Sequence, residues 1–124
     1  MDLQTPFHNK RGKLQFPWKP TADRVFIYPK PLPTTFVEGG NILIPEHLRE
    51  EFVSEGWGIL LAIGPGYHDK EGRWFPTDPS LVPGSLVFYD HWVPWRSLVP
   101  DKRGKKHAVV LCGVLDLHAI VKKD

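Results

Sequence analysis

Prolines and glycines divide this chain into short pieces, and that division constrains its fold more than any other feature. The 124 residues include 13 prolines and 11 glycines, and most stretches between them are too short for a long helix. Strands of a few residues fit between such turn residues. The length suits a single domain with a modest core. The distribution therefore predicts an all-β domain built from short strands and many turns.

Five segments are predicted as strands because they are rich in aliphatic, β-branched or aromatic residues and end near turn residues. They are 23–28, 59–63, 86–89, 108–112 and 117–121. Residues 67–80 are predicted as a projecting hairpin, since Asp69-Lys70-Glu71-Gly72 supplies the chemistry of a turn. A second, charged hairpin tip is expected at 102–106. Six or more short strands at regular spacing favour a small β-barrel.

A short aliphatic run between turn residues is the first functional candidate. Ile42, Leu43 and Ile44 follow Gly39-Gly40 and precede Pro45, so the glycines and the proline would act as hinges of a loop. Three adjacent aliphatic side chains on a loop are unfavourable to expose unless a partner covers them. We interpret them as a hydrophobic hook for another protein. An ordinary core strand entered from a glycine turn is the alternative interpretation.

Composition argues against several classes of partner. The net charge of +2 gives no global bias toward nucleic acid or an anionic membrane. The basic clusters at 10–13 and 102–106 are interpreted as solubilising tips, with salt-dependent binding of nucleic acid as the alternative. No apolar run approaches the length of a membrane span, and the N-terminus does not resemble a signal peptide. A cytoplasmic location is expected, and the single cysteine, Cys112, is predicted to be a buried small hydrophobe.

Recognisable catalytic and metal-binding patterns are missing from the sequence. The six histidines are scattered without the spacing of metal ligands, and neither a Gly-Lys-Ser/Thr phosphate loop nor a Gly-x-Ser-x-Gly motif occurs. Asp90-His91 and the pair Asp116 and His118 could imitate acid–base pairs, but each lacks a candidate nucleophile. We therefore predict a protein that is not an enzyme, with no catalytic residue, no metal site and no cofactor of its own.

The order of five segments carries a family resemblance. They are 20–25, with the triplet Asp-Arg-Val; 39–45, with a glycine pair before three aliphatic residues; 55–66, which ends in Gly-Pro-Gly; 82–88, which reads Val-Pro-Gly-Ser-Leu-Val-Phe; and 116–121, which reads Asp-Leu-His-Ala-Ile-Val. In this order they resemble the GroES-type co-chaperonins, the lids of GroEL-type chaperonins. The resemblance covers roughly residues 20–121, nearly the whole predicted domain.

The resemblance implies an architecture and a function. An N-terminal extension, 1–19, would precede a small GroES-like β-barrel at 20–124, with a mobile loop at about 31–55 and a roof hairpin at about 67–80. Seven copies would form a ring that caps a GroEL-type chaperonin in a nucleotide-dependent manner and encloses an unfolded client protein. ATP would be bound by the chaperonin. Ile42, Leu43 and Ile44 would dock into apolar grooves of that partner.

The resemblance also suggests roles for other side chains. Trp74 and Phe75 would belong to the roof, and Trp92 would face the chamber; core or subunit contacts are the alternative for these aromatics. The first and last strands of neighbouring subunits would pair across an interface that protects both edges. The interface residues are Val25, Ile27, Leu117 and Ile120. Pairing within a single barrel is the alternative for these two strands.

Departures from the family pattern keep other functions open. Asn41 is inserted before the aliphatic run, Ser85 replaces the usual aspartate, and tryptophans follow Tyr89. They indicate a divergent member, and a viral gene or adaptation to a special client are hypotheses for its origin. One alternative function is a structural or assembly protein, for example in a virus particle, that reuses the barrel. Another is a small β-barrel that binds nucleic acid through aromatic stacking platforms.

Overall fold

The described part of the computed structural model comprises residues 4–30, 56–90 and 95–120. Its elements are β1 Arg24–Pro29, β2 Trp57–Ile63, β3 Gly66–His68, β4 Trp74–Pro76, β5 Leu86–Tyr89, β6 Arg96–Pro100, β7 Lys106–Gly113, a 3-10 turn at Val114–Asp116, and β8 Leu117–Ile120. These ranges contain strands and turns but no α-helix. The predicted all-β class is confirmed.

Two antiparallel sheets organise the strands. The larger has six strands in the order β6-β7-β1-β2-β5-β8, and β3 pairs with β4 in a separate two-stranded sheet. Among the described residues no pairing joins β6 to β8, so over those residues the sheet is not closed into the predicted barrel.

Successive side chains of each strand point to opposite faces of the sheet, and an apolar cluster lies on each face. Val25 and Ile27 of β1 are fully buried on one side, while Phe26 is buried on the other. The first cluster is completed by Leu60, Leu81, Val87, Tyr89, Val110 and Cys112. The second contains Phe7, Phe26, Leu61, Val99 and Val109. Each of the larger side chains contributes roughly 1.5–3 kcal/mol by its burial.

The N-terminal residues cover the second face. Phe7 is only 4% exposed and its ring meets that of Phe16 edge-on, with centroids 4.9 Å apart. Phe16 in turn lies 5.1 Å from Phe26 of β1. The N–H of Gln15 donates to the carbonyl of Phe7 at 2.8 Å. Residues 4–19, set apart in the sequence as an extension, therefore pack on the sheet and supply part of its core.

Strand β6 is an element that the sequence did not predict. Only Leu98 and Val99 are strongly apolar within Arg96–Pro100, and prolines flank or end the segment. It pairs along β7 at the edge of the sheet, where a proline at the last position is tolerated because no further strand needs its missing N–H. Val99 is fully buried, and that contact fixes the strand against the second cluster.

Cys112 lies in β7 within the first cluster and is buried, as predicted. Burial raises the pKa of the Cys112 thiol to about 12. At neutral pH the thiol therefore stays protonated and unreactive.

The turn that joins β6 to β7 offers a pH test of the fold. Asp101 Oδ2 lies 2.8 Å from His107 Nε2, and this hydrogen bond is the main cause that lowers the pKa of the Asp101 carboxyl from 3.8. A depressed folded-state pKa adds stability above the unfolded pKa, and that stability is lost as the pH falls through the folded value. We expect Asp101→Asn to melt below the wild type at pH 7. Asparagine keeps the turn, because Asn9 caps the same kind of turn.

Below the lowered pKa of Asp101 the two proteins carry equivalent neutral side chains at this position, so their melting temperatures should converge. Thermal melts from pH 7 to about pH 2 measure the difference in melting temperature between the wild type and Asp101→Asn. A deficit of constant size over the whole range would show that the carboxylate charge contributes nothing to stability.

Candidate functional site

A short aromatic hairpin stands where residues 67–80 were predicted to project. Tyr67 faces Phe75 across the β3–β4 pair, and their rings are stacked with centroids 5.4 Å apart and 17° between planes. His68 faces Trp74 on the other side, at 4.9 Å. Tyr67, Trp74 and Phe75 are 44%, 47% and 40% exposed. Trp74 and Phe75 are therefore not core residues of the single chain, and both faces of the hairpin present aromatic rings.

The Gly64-Pro65-Gly66 corner sets the direction in which this hairpin leaves β2. The N–H of Gly64 donates to the carbonyl of Arg24 at 2.8 Å, and the N–H of Gly66 donates to that of Ala22 at 3.1 Å. Thr77 closes the corner from the return strand through its hydroxyl, which donates to the Gly64 carbonyl at 2.7 Å. Gly66 has a φ of +136°, a conformation that favours glycine. The glycines of Gly64-Pro65-Gly66 are therefore required both by the turn and by close packing, because a Cβ at either glycine would overlap backbone atoms.

Gly64→Ala is expected to destabilise the domain by about 2–3 kcal/mol, because overpacking forces the backbone to move. An added Cβ would overlap the carbonyl oxygen of Ala22 and lie 3.1 Å from that of Thr21. Urea unfolding measures the change. The matched control is Gly72→Ala in the hairpin turn, where φ is +81° and no atom lies within 4 Å, so that only about 1–2 kcal/mol of backbone strain is expected. Equal losses in both variants would contradict the packing argument.

The hook predicted from the sequence lies outside the described residues. This applies to Ile42, Leu43 and Ile44 and to the hinge residues Gly39, Gly40 and Pro45. The points where its connection leaves and rejoins the sheet are described. Pro29 at the end of β1 pairs with Gly58 near the start of β2, and the N–H of Lys30 donates to the carbonyl of Trp57 at 2.9 Å. The connection that carries the hook therefore starts and ends side by side.

The predicted interface residues fall into two different environments. Val25 and Ile27 are fully buried in β1, and β1 is paired on both edges, with β2 and with β7. Leu117 and Ile120 are half-buried in β8, which pairs with β5 on one edge only within the described chain. No described strand therefore occupies the outer edge of β8, whereas pairing through β1 would require β2 or β7 to leave. An interface role for these residues stays a prediction.

A second glycine turn fixes the start of β5. The N–H of Gly84 donates to the carbonyl of Leu60 at 2.7 Å, and the N–H of Leu60 donates back to the carbonyl of Ser85 at 2.9 Å. Gly84 has a φ of +95°. The segment 82–88, chosen in the sequence for its family resemblance, thus anchors β5 to the buried middle of β2. Ser85 serves here through its carbonyl, which any residue would supply.

The described residues contain neither a metal cluster nor a membrane-spanning helix. In 4–30, 56–90 and 95–120, no three histidine, cysteine, aspartate or glutamate side chains gather as a metal site. Over the same ranges, no helix has the length and apolar character needed to cross a membrane. Trp92, the predicted chamber-facing residue, lies outside these ranges.

A comparison with known proteins agrees with the family resemblance that the sequence motifs carry. No protein-family model matches the chain. Co-chaperonin GroES 3 of Bradyrhizobium diazoefficiens is 31% identical over 75 residues, which is 60% of this chain and 65% of that protein. The relationship is distant. The chain is thus a divergent relative of a GroES-type co-chaperonin over somewhat less than two thirds of that protein's length, and its viral origin stays a hypothesis.

Proposed function

We propose that this chain is a co-chaperonin that caps a GroEL-type chaperonin ring in a nucleotide-dependent manner and encloses a client protein. Two lines of support meet in this proposal. One is the similarity to Co-chaperonin GroES 3, a protein named as a co-chaperonin. The other is that the two ends of the connection with the predicted hook lie at one end of a buried strand and the aromatic hairpin follows its other end, and this arrangement carries the proposal.

That strand is β2. Its first residues, Trp57 and Gly58, lie beside the end of β1, where the connection with the aliphatic hook is attached. Its last residue, Ile63, leads through the Gly-Pro-Gly corner into the aromatic β3–β4 hairpin. Seven residues of strand span about 20 Å. A lid needs such an arrangement, since one end must grip the chaperonin rim while the other closes the chamber.

A single hook would bind the chaperonin weakly, whereas a ring with several hooks would bind it strongly. Burying Ile42, Leu43 and Ile44 would contribute roughly 1.5–3 kcal/mol each, while fixing about ten residues of the connection would cost on the order of 1 kcal/mol apiece. These terms nearly cancel for one subunit. Several hooks on one ring bind through effective concentration, so that a modest change at each site switches the whole lid.

Ring formation would use the free sheet edges. The outer edges of β6 and β8 carry backbone groups that no other described strand pairs, and edge-to-edge joining of copies would satisfy them and protect them from aggregation. Leu117 and Ile120 of β8 would then lie at the joint. A ring of seven is the number that the family resemblance implies.

Client protection tests the proposed function. A non-native protein is loaded on a GroEL-type chaperonin, this chain and ADP are added, and protease is applied. The proposal expects the client to become protease-resistant only when the chain and nucleotide are both present. Equal digestion with and without the chain, while the chain remains a folded oligomer, would contradict it.

A further inference from the structure

Three turns of this chain share one geometry. They occupy 9–13, 69–73 and 101–105, and read Asn-Lys-Arg-Gly-Lys, Asp-Lys-Glu-Gly-Arg and Asp-Lys-Arg-Gly-Lys. In each, the first side chain accepts through Oδ1 from the N–H of the third and fifth residues, at 2.8–3.1 Å. The fourth residue is a glycine with φ between +80° and +84°. The geometry needs only the first and fourth residues, so the basic side chains in between are free for another role.

Two of these turns meet although they come from opposite ends of the chain. Both the turn at 9–13 and the turn at 101–105 contribute residues to the lining of one cavity of about 540 Å³. Lys10 comes from one turn, and Lys102, Arg103 and Lys105 come from the other. The buried ring of Phe7 and the half-buried ring of His107 have centroids 5.6 Å apart, and both residues line the same cavity. The packing of the N-terminal residues on the sheet thus gathers basic clusters that the sequence showed only as separate tips.

The cavity has a strong excess of positive charge. Its lining includes four cationic side chains and one carboxylate, Asp101. That carboxylate is already engaged, by two backbone N–H groups through Oδ1 and by His107 through Oδ2. In the described chain none of the four cations has a carboxylate within ion-pair distance. In the third turn, by contrast, Arg73 pairs with Asp69 at 2.9 Å and with Glu71 at 3.4 Å.

Two amides add polar groups to the lining. Asn9 commits its Oδ1 to the turn, which leaves its NH₂ to donate elsewhere, and it stands where the other two turns carry an aspartate. The Oε1 atom of Gln15 is buried and has no hydrogen-bond partner among the described residues. An orphaned polar atom of this kind at a cavity wall is satisfied by a bound molecule or by water.

We propose that this cavity binds a ligand carrying several phosphate groups. Its volume lies in the range of small-molecule sites. Arginine offers a fork that matches phosphate oxygens, and the lysines add point charges around it. A nucleic-acid strand fits less well, because stacking of bases needs exposed rings. Phe7 is only 4% exposed, and Tyr67, Trp74 and Phe75 do not line the cavity. This proposal goes beyond lid function and does not depend on it.

Calorimetric titration with inorganic tripolyphosphate, at a fixed salt concentration of about 0.1 M, tests the proposal. We expect saturable binding of one ligand per chain. Asn9→Asp should keep its turn, since aspartate makes the same bonds at positions 69 and 101. It would place a carboxylate in the cavity and weaken binding about tenfold or more. Arg103→Gln, which removes a charged donor, should weaken it by a similar factor. Lys70→Gln, which removes a basic side chain from the turn outside the cavity, should leave binding unchanged.

Titration with ATP identifies the source of the phosphates. Equal affinity for ATP and tripolyphosphate would assign the site to the phosphate chain alone, and tighter ATP binding would assign it to a nucleotide; both results support the proposal. Absence of saturable binding by both probes would overturn it. Equal weakening by Lys70→Gln and Arg103→Gln would also overturn it. Tighter binding of a single-stranded oligonucleotide than of ATP, unaffected by Asn9→Asp, would replace the cavity with a nucleic-acid surface.

Discussion

Val25→Asp is expected to abolish folding of the isolated chain. Val25 is fully buried in β1, which lies in the middle of the six-stranded sheet. The substitution removes apolar contacts with the first cluster and buries a carboxylate among its apolar side chains. Losses of this kind reach about 5 kcal/mol or more, comparable with the whole stability of a small domain. Circular dichroism and a thermal melt measure the result, and no cooperative transition is expected.

Two comparison variants make this result specific. Leu115→Asp changes a side chain that is 91% exposed and should melt within about 0.5 kcal/mol of the wild type. Ile120→Asp changes a half-buried residue of the edge strand β8 and should give a folded chain with weakened self-association by sedimentation velocity. A Val25→Asp protein that folds normally and merely fails to assemble would contradict the central placement of β1. It would support the interface role that the sequence motifs suggested.

Local sequence predicted most of the strands, because propensity, turn residues and tertiary contacts agree there. β5 was predicted with its observed bounds, and β1 within one residue. β6 was not predicted because Val99 is its one buried residue. The cluster that Val99 packs against consists of residues from four other segments. Phe7 and Phe16 belong to residues 1–19, which were interpreted from the sequence as an N-terminal extension. Their burial depends on a sheet face that exists only after β1, β2 and β7 have paired.

The candidate surfaces were predictable to different degrees. The aromatic hairpin was located from Gly-Pro-Gly and its turn residues, and the structure adds that rings line both of its faces. The basic cavity was not predicted, because each basic cluster taken alone is typical of a turn exposed to solvent. Its signal was present in the repeated five-residue pattern, which places basic residues at the same positions in two distant turns. Only the packing of Phe7 against His107 shows that these turns meet.

Leu43→Asp is expected to abolish capping of the chaperonin. Removing a leucine from an apolar groove forfeits roughly 1.5–3 kcal/mol, and forcing a carboxylate into that groove costs several kcal/mol more. Each subunit would lose more than about a hundredfold in affinity. Because the proposed ring would bind through several hooks at once, the effect would multiply over the subunits and leave no detectable complex.

The same Leu115→Asp variant is the control for binding. It places the same charge on an exposed leucine that lies in the 3-10 turn before β8, away from the hook connection. It should bind the chaperonin as the wild type does. Both variants should match the wild type in thermal stability and in oligomeric state, so that a difference in binding reports on the hook alone.

Co-sedimentation with a GroEL-type chaperonin, in ATP, in ADP and without nucleotide, tests the co-chaperonin proposal most directly. We expect the wild type and Leu115→Asp to pellet with the chaperonin only when nucleotide is present, and Leu43→Asp to stay in the supernatant throughout. The chaperonin from the organism that carries this gene is the partner of choice. A folded wild-type oligomer that fails to pellet with it under every nucleotide condition would contradict the proposal.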